Sequence, residues 1–249
     1  MDLQLAGRVA IVTGASRGLG RAAALGLAAE GVKVLGVARS GAQLASLQQE
    51  VPDAIQIAEC DMLDTDQVSA LPELAVKAFG RLDVIVNNAG VAPAGDFLAQ
   101  SDDVWREVFG VNVFACVTLA RAAGARFVAQ KSGKVINVAS TSGILGKPTL
   151  VAYSSSKGAV LQFTKALAGE WARHGIQVNA IAPGAFETDA QGAVLSSTDL
   201  LTRRLRKIPV GRMGTAEEIG PLVCLLASPL SDFITGSVFV ADGGESSKL

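Results

Sequence analysis

The chain has 249 residues, of which 49% are hydrophobic, so it can bury a substantial core and does not have the composition of a disordered protein. Its 22 basic and 23 acidic residues leave a formal net charge of −1, which argues against nucleic acid or an anionic membrane surface as a partner and favours a small molecule. Cys60, Cys116 and Cys224 are widely spaced, so they predict neither disulfides nor a metal site, and they fit a reducing compartment.

The two ends of the chain bear on targeting. The N-terminus has no basic leader, and no apolar run approaches the ~20 residues of a membrane span, so we expect neither a secretory signal nor a membrane helix. The last residues, Ser247-Lys248-Leu249, match the peroxisomal signal of eukaryotes. The composition favours a bacterial source, in which the match is a coincidence. We therefore expect a cytoplasmic protein, with the peroxisome as the alternative for a eukaryotic source.

Short β-branched runs alternate with longer amphipathic stretches along the chain, with no linker between them. The predicted strands are 9–13, 33–37, 55–59, 82–87, 134–139, 177–181 and 237–240, and the predicted helices are about 19–30, 41–50, 65–79, 101–130, 154–174 and 215–227. Most strands are apolar throughout, as expected when both faces of a sheet are buried. The alternation predicts a single α/β domain over 1–249 with a doubly wound parallel sheet, whose ligands bind at the carboxyl ends of the strands.

The first predicted strand leads into a glycine-rich turn that opens a helix. Gly14, Gly18 and Gly20 have the spacing G-x-x-x-G-x-G, which differs from the G-x-G-x-x-G fingerprint. Such glycines let the chain turn tightly and bring backbone N–H groups and a helix N-terminus close to a phosphate. The turn therefore predicts dinucleotide binding, the alternative being an ordinary strand-to-helix turn.

The end of the second strand indicates which dinucleotide is bound. Ala38 and Arg39 stand where an acidic residue would bind the ribose 2′-hydroxyl of NAD(H). A guanidinium instead suits a 2′-phosphate, and Arg17 in the glycine turn offers a second one. We predict NADP(H), although Arg39 is alternatively a solvated loop cation. Asp61, after the third strand, is a candidate for the adenine amino group or a plain helix-flanking acid.

Two further stretches carry chemistry. Tyr153, the only tyrosine, lies four residues before Lys157, so a helix places the phenol and the ammonium one turn apart, where the cation favours the ionised phenol. The fourth strand ends in Asn87, Asn88, Ala89 and Gly90, which form either a simple turn or a brace between strands with room for a cofactor ribose.

These residues give the chain a resemblance to the short-chain dehydrogenase/reductase family that runs from Gly7 to Gly244. Further matching positions are Ser140, Asn112 after Val111, Pro183-Gly184 followed by Thr188, Arg212, Gly214, and the closing Val240-Ala241-Asp242-Gly243-Gly244. The resemblance implies a single Rossmann-like domain with a seven-stranded parallel sheet, in agreement with the number of strands predicted above. It also implies a homotetramer, because helices 101–130 and 154–174 resemble those that pair between subunits in the family.

The resemblance assigns roles to four catalytic positions. Tyr153 would give its proton to a ketone oxygen, and act as the base in the reverse direction, while a hydride passes from or to the nicotinamide. Lys157 would support the ionised phenol and hold the nicotinamide ribose, and Ser140 would hydrogen-bond the substrate oxygen. Asn112 would anchor a water that links Lys157 to solvent. The alternatives are structural: Ser140 as a strand cap, Asn112 at a helix kink.

The cofactor positions implied by the resemblance follow the same order along the chain. They are Gly14, Ser16, Arg17, Gly18, Leu19, Gly20, Arg39, Asp61, Met62, Asn88, Ala89, Gly90, Tyr153, Lys157, Pro183, Gly184, Phe186 and Thr188.

The substrate is less well defined than the reaction. Segment 185–212, irregular and polar, is predicted to be a lid over the site. Its basic residues Arg203, Arg204, Arg206 and Lys207 favour a solvated helix face over an anion site. The chain resembles the branch that contains 3-oxoacyl-carrier-protein reductases and gluconate-type sugar-acid dehydrogenases, and apolar Ile144, Leu145 and Phe186 would also suit a simple hydrophobic ketone.

Two other function classes fit the sequence less well. A non-catalytic dinucleotide sensor would not need Tyr153, Lys157, Ser140 and Asn112 together, so their presence argues against it. A sugar epimerase or dehydratase of the longer relatives is disfavoured by the short C-terminal part and the different glycine spacing.

Overall fold

Within residues 1–247, which the computed structural model describes, seven strands form one parallel sheet in the order β3-β2-β1-β4-β5-β6-β7. The strands are β1 Val9–Thr13, β2 Lys33–Ala38, β3 Ile55–Glu59, β4 Val84–Asn87, β5 Gly133–Val138, β6 Ile176–Pro183 and β7 Val238–Ala241. The strand order reverses direction between β1 and β4, which are direct neighbours. In a doubly wound sheet that switch point opens a crevice at the carboxyl ends of the strands.

Helices cover both faces of the sheet. They are α1 Gly18–Ala29, α2 Gly41–Glu50, α3 Thr65–Phe79, α4 Asp102–Phe109, α5 Ala115–Gln130, α6 Ser142–Leu145, α7 Val151–Trp171, α8 Gly192–Leu195, α9 Thr198–Leu205 and α10 Gly220–Ala227. Helices α1, α2 and α10 bury their apolar side chains on one face of the sheet, and α3 and α5 bury theirs on the other. The predicted fold class, a doubly wound Rossmann-like α/β sheet flanked by helices, is confirmed.

The predicted strand boundaries hold to within two residues. Strand β6 continues past the predicted end at 181 because Pro183 pairs with Ala241 of β7. Helix α7 begins at Val151, three residues before the predicted start, and the Ser154 N–H donates to the Leu150 carbonyl at 2.8 Å. Tyr153 and Lys157 therefore lie in the same helix, as their spacing requires.

The predicted helix 101–130 changes its hydrogen-bond pattern near its middle. Helices α4 and α5 are joined without a break by a π-helical turn, Gly110–Phe114, which holds Asn112. Such turns mark functional positions more often than plain helix does. By length and composition alone, Asp102–Gln130 could cross a membrane, so the expectation that no stretch approaches such a span is wrong. Half of the most apolar 18-residue part of this helix is buried inside the protein, and Leu119 and Phe127 lie in the core.

The predicted lid, 185–212, is more ordered than its sequence suggests. It contains α8 and α9, and Phe186 forms an isolated parallel bridge with Gly214. The Arg204 guanidinium on α9 binds both carboxylate oxygens of Glu245 at 2.5 and 2.6 Å, which ties the lid to the C-terminal segment. Of the Ser247-Lys248-Leu249 motif, Lys248 and Leu249 lie outside the described residues.

Candidate active site

The turn after β1 requires its glycines. Gly14 and Gly18 have φ values of +66° and +55°, in the left-handed region. A Cβ atom on Gly20 would lie 2.2 Å from the Gly14 carbonyl oxygen and 2.3 Å from Asn88 Nδ2, so a side chain there would displace the turn. Glycine is therefore required at these positions by the backbone conformation of the turn and by the close approach of Gly20 to Gly14 and Asn88.

The start of helix α1 is open to an anion. Its N-cap residue, Arg17, makes no side-chain capping hydrogen bond, and the first turn contains no acidic residue. The first N–H groups of a helix have no partner inside the helix, and the helix dipole adds positive potential there. The turn and the helix start together fit a cofactor pyrophosphate.

The amide-rich end of β4 braces this turn. Asn88 Nδ2 donates to the carbonyl oxygen of Thr13 at 2.9 Å, and the backbone N–H groups of Asn88 and Ala89 donate to Thr13 Oγ1 at 3.0 and 3.1 Å. The neighbouring Asn87 Nδ2 donates to Asn137 Oδ1 of β5 at 2.8 Å. These bonds fix β4 to both of its neighbours, so of the two alternatives that the sequence left open, a simple turn and a brace between strands, the brace is the one observed.

A cleft of about 770 Å³ opens at the carboxyl ends of the strands. Every predicted cofactor position lines it: Gly14, Ser16, Arg17, Gly18, Leu19, Gly20, Arg39, Asp61, Met62, Asn88, Ala89, Gly90, Tyr153, Lys157, Pro183, Gly184, Phe186 and Thr188. Ser140 lines the same cleft, whereas Asn112 does not. Residues that chain order places far apart are thus collected around one elongated space that suits a dinucleotide.

Lys157 is anchored below the phenol of Tyr153. Its Nζ lies 5.8 Å from the centre of the Tyr153 ring and donates to the carbonyl oxygen of Val138 at 2.7 Å. The lysine is buried, while Tyr153 is partly exposed to the cleft. The arrangement places a fixed positive charge beside a phenol that solvent and substrate can reach.

Ser140 lies in the first residues after β5. Its Oγ accepts a hydrogen bond from the Ser142 N–H at 3.1 Å, which leaves its own hydroxyl proton to be donated elsewhere. A Cβ atom on Gly143 would lie 2.6 Å from the carbonyl carbon of Lys157, so the Ser140 segment packs directly on the backbone of α7. This contact fixes Ser140 relative to Tyr153 and Lys157.

Asn112 does not line the cleft but holds a residue that does. Its Oδ1 accepts from the Val91 N–H at 2.9 Å, and its Nδ2 donates to the Val91 carbonyl at 3.0 Å and to Ser156 Oγ at 2.9 Å. A Cβ atom on Gly90 would lie 3.2 Å from Asn112 Oδ1 and 3.5 Å from Lys157 Nζ. The side chain therefore joins the loop after β4 to α7. Its water-anchoring role stays a prediction.

The two arginines at the adenosine end differ in their surroundings. Arg39 is exposed, and within residues 1–247 it forms no ion pair. Arg17 faces Asp189 of the lid, with Nη1 3.5 Å from Oδ2. Asp61 Oδ1 accepts from the Leu63 N–H at 3.0 Å, which uses part of its capacity to bind a base.

Several lining residues had no sequence signal strong enough to single them out as site residues. They are Ser40, Gln43, Cys60, Val111, Val138 and Ala139. Burial, with the carboxylates of Asp64 and Asp61 nearby, raises the pKa of the Cys60 thiol to about 11, so it stays protonated near neutral pH and is a poor nucleophile. Among residues 1–247 no group of three or more His, Cys, Asp or Glu side chains is arranged to hold a metal ion.

Comparisons with known proteins agree with this geometry. A family model described as enoyl-(acyl carrier protein) reductase matches residues 14–246. The 2-dehydro-3-deoxy-D-gluconate 5-dehydrogenase of Pseudoalteromonas atlantica is 36% identical over 245 residues, covering 96% of each chain. The 3-oxoacyl-(acyl-carrier-protein) reductase FabG of Vibrio harveyi is 33% identical over 242 residues, covering 97% of this chain and 98% of the relative. A crystal structure of a gluconate 5-dehydrogenase from Burkholderia cenocepacia in complex with NADP and tartrate is similar with a TM-score of 0.94 at 33% identity, over 100% of this chain and 98% of that chain.

These similarities extend over nearly the whole chain, and they join the cleft to a known class of chemistry. The glycine turn, the brace at Asn88 and the Tyr153–Lys157 pair are the features by which the sequence itself resembled that class. The chain belongs to the short-chain dehydrogenase/reductase family and is an oxidoreductase that acts on a hydroxyl or keto group with a nicotinamide cofactor.

Proposed function

We propose that the protein is an NADP(H)-dependent dehydrogenase or reductase that interconverts a ketone and a secondary alcohol on a sugar-acid substrate, with Tyr153 as the acid and base. The observation that carries this proposal is that Tyr153, Lys157 and Ser140 line the same cleft as Arg17 and Arg39. One space thus holds a proton donor, its supporting cation and two groups suited to a phosphate.

The chain's own residues account for the proton movements. When bound, the nicotinamide supplies or accepts the hydride. In the reducing direction Tyr153 donates its phenolic proton to the carbonyl oxygen, and Ser140 donates a hydrogen bond to that oxygen as negative charge develops on it. Lys157, held by the Val138 carbonyl, stabilises the phenolate that remains. In the oxidising direction Tyr153 accepts the proton of the alcohol.

The preference for NADP(H) rests on charge at the adenosine end. Ala38 ends β2 where a carboxylate would repel a 2′-phosphate, and Arg39 follows it. The guanidinium groups of Arg39 and Arg17 both border the cleft and suit a phosphate dianion. The Burkholderia cenocepacia structure was obtained in complex with NADP, which supports the same preference here.

The choice of an acidic substrate rests on basic residues near the start of helix α7, which lie outside the residues that line the cleft. The Lys147 N–H donates to Ser154 Oγ at 3.1 Å, so this lysine lies against the first turn of the catalytic helix. Burial and then the neighbouring Arg204 guanidinium lower the pKa of Lys147. Arg204 is neutralised by Glu245, so the charges of Lys147 and Lys207 are in excess there and favour an anion. The Pseudoalteromonas atlantica relative is named for a sugar-acid substrate.

A second candidate is a 3-oxoacyl thioester carried by an acyl carrier protein. Ile144 and Leu145 of α6 are 46% and 61% exposed just beyond Ser140, where they could contact an acyl chain. Exposed Lys131 and Arg173 could meet an acidic carrier protein. The Vibrio harveyi relative carries that name.

A substrate panel with both cofactors separates these candidates. It contains keto sugar acids, their neutral ester or amide counterparts, acetoacetyl thioesters, and small cyclic and aryl ketones, each with NADPH and NADH. The proposal predicts the highest kcat/KM for a keto acid with NADPH. A thioester preferred over every keto acid would select the second candidate, and tight NADPH binding without turnover of any ketone would overturn the catalytic proposal.

We also propose that the protein is a homotetramer. Phe114 is 61% exposed and Phe233 is fully exposed, and their burial against another copy of the chain would remove apolar surface from water. Phe114 lies in the π turn between α4 and α5, within the predicted helix 101–130, which is one of the two helices that resemble those pairing between subunits in the family. Light scattering at micromolar concentration tests this, because a monomer mass would contradict it.

A further inference from the structure

The glycine turn and the lid meet at one ion pair. Arg17 Nη1 lies 3.5 Å from Asp189 Oδ2, and both side chains border the cofactor cleft. Next to them, a Cβ atom on Gly18 would lie 3.4 Å from Thr188 Cγ2, so the Thr188 side chain of the lid lies close to the glycine turn. Asp189 therefore holds the cation of the turn at the point where the lid begins.

The Arg17–Asp189 pair is weak enough to be exchanged. Its two side chains are 65% and 67% exposed, and at 3.5 Å the contact is longer than a charge-assisted hydrogen bond. Exposed pairs of this kind contribute little stability. A phosphate dianion offers the same guanidinium more charge and two parallel hydrogen bonds. Arg17 thus faces two anions that compete for it, one on the lid and one on the cofactor.

We propose that Asp189 tunes cofactor affinity and specificity by competing with the 2′-phosphate of NADP(H) for Arg17. This inference rests on the proposed NADP(H) preference. NADP(H) has to break the Arg17–Asp189 pair before it gains Arg17, whereas NAD(H) has no 2′-phosphate and leaves the pair intact. Asp189 accordingly lowers the ratio of the affinity for NADP(H) to the affinity for NAD(H). Arg39, which has no ion-pair partner within residues 1–247, is outside this competition.

The test is a double-mutant cycle in cofactor binding. Dissociation constants for NADPH and NADH are measured by fluorescence titration for the wild type, Asp189→Asn, Arg17→Gln and the double variant. Asp189→Asn should tighten NADPH binding about 2- to 5-fold, the range expected for an exposed ion pair, with a smaller change for NADH. Arg17→Gln should weaken NADPH binding, and in that background Asp189→Asn should bring no further gain.

A matched control comes from the same lid. Asp199 also pairs with an exposed arginine, Arg203, at 2.9 Å, but neither residue borders the cleft. Asp199→Asn should therefore leave both dissociation constants unchanged, which shows that a lost lid charge alone does not account for the effect.

The possible results separate the inference from the proposal beneath it. If NADPH is preferred and Arg17→Gln removes that preference, but Asp189→Asn leaves NADPH binding unchanged or weaker, only the competition is wrong. The competition would also be wrong if Asp189→Asn tightened NADH binding as much as NADPH binding, or if it tightened NADPH binding in the Arg17→Gln background. Either result would indicate a general charge effect. If the wild type binds both cofactors equally and Arg17→Gln changes neither, the NADP(H) preference and the competition both fail.

Discussion

Lys157 Nζ lies 5.8 Å from the centre of the Tyr153 ring, and its hydrogen bond goes to the Val138 carbonyl. The ammonium is thus held by the strand beneath it, and no hydrogen bond ties it to the phenol. A charge at this distance favours the ionised phenol through its electric field. The phenol oxygen remains available to a substrate, and proton transfer can be separated experimentally from cofactor binding.

Replacing Tyr153 with Phe should abolish most turnover, because the proton donor is lost while the ring and the Lys157 anchor remain. General acid–base catalysis contributes about 10²- to 10⁴-fold, so we expect kcat to fall by at least about 100-fold. The NADPH dissociation constant should change little. Steady-state kinetics and fluorescence titration measure the two quantities, and a near-normal kcat would contradict the mechanism.

The adenosine end should determine the cofactor. Ala38→Asp combined with Arg39→Ala introduces the carboxylate that a 2′-hydroxyl needs and removes one phosphate ligand. We expect NADPH affinity to fall about 10- to 100-fold and NADH affinity to rise. Arg173→Ala, which removes an exposed arginine outside the cleft, is the control and should change neither. An unchanged NADPH to NADH ratio in the double variant would refute the phosphate assignment.

Most of the fold could be predicted because buried parallel strands are apolar throughout and helices keep their own period. Strand β1 and helices α2 and α3 have the predicted bounds. At Asn112 the sequence offered a helix kink only as an alternative and gave no sign of a π turn, since such a turn depends on a shift in backbone hydrogen bonds that leaves the apolar pattern of the helix intact. The start of α7 was placed too late because Ser154, Ser155 and Ser156 are typical of a helix N-terminus.

The site could be predicted where the type and spacing of the residues indicate their chemistry. The glycines, Tyr153 and Lys157 did so through spacing, and all line one cleft. What escaped prediction depends on backbone atoms or on distant pairing. The anchor of Lys157 is a main-chain oxygen, which any residue at 138 would supply. The partner of Arg17 lies on the lid, and no local pattern connects the two.

Gly143 should be essential for the alignment of the catalytic groups. An alanine Cβ there would lie 2.6 Å from the Lys157 carbonyl carbon and 2.8 Å from the Gly158 nitrogen, so α6 and the Ser140 segment would have to move away from α7. We expect Gly143→Ala to lower stability by about 1–3 kcal/mol and to reduce kcat, by analogy with other overpacked sites. Urea denaturation and kinetics measure both.

Gly169 provides the control for Gly143. It lies within the same helix α7, and nothing stands within 4 Å of an added Cβ atom. Gly169→Ala should therefore keep full activity and raise stability by up to about 1 kcal/mol, since alanine loses less backbone entropy than glycine in a helix. If both variants behave alike, the contact between α6 and α7 does not position Ser140.

Lys147 should discriminate between charged and neutral substrates. If the Lys147 ammonium attracts the substrate carboxylate, Lys147→Ala should raise KM for a keto acid about 3- to 10-fold and leave KM for the neutral ester unchanged. A larger increase in KM is not expected, because a partly solvated charge contact contributes little binding free energy. Lys147→Arg should restore the keto-acid KM. Lys165, exposed on α7, supplies the matched control through Lys165→Ala. Equal effects on the acid and the ester would refute a charge contact.

Lys134 on β5 offers a test of stability that does not involve the active site. Its side chain is 3% exposed, and its Nζ binds Asp232 Oδ1 at 2.5 Å and Ser231 Oγ at 3.4 Å. Burial lowers the pKa of Lys134, and Asp232 offsets that shift in part. Asp232→Asn would leave a buried cation without its counter-ion and should lower the unfolding free energy at pH 7 by about 1–3 kcal/mol.

The pH dependence of these variants follows from the direction of that shift. Between the lowered pKa of Lys134 in the folded protein and its value of about 10.4 in the unfolded chain, the unfolded chain holds one more proton, so the unfolding free energy rises with pH. Asp232→Asn lowers the folded pKa further and widens that interval. Its deficit relative to the wild type should therefore shrink as the pH is raised from 7 towards 10.

Lys134→Met removes this contribution, and Lys134→Met combined with Asp232→Asn should recover most of the stability lost in Asp232→Asn. Urea denaturation at pH 7, 8.5 and 10 measures these differences in unfolding free energy, and Asp53→Asn, at an exposed carboxylate, is the control. If the unfolding free energy of Asp232→Asn stays below that of the wild type by the same amount across this range, Asp232 does not stabilise the Lys134 cation.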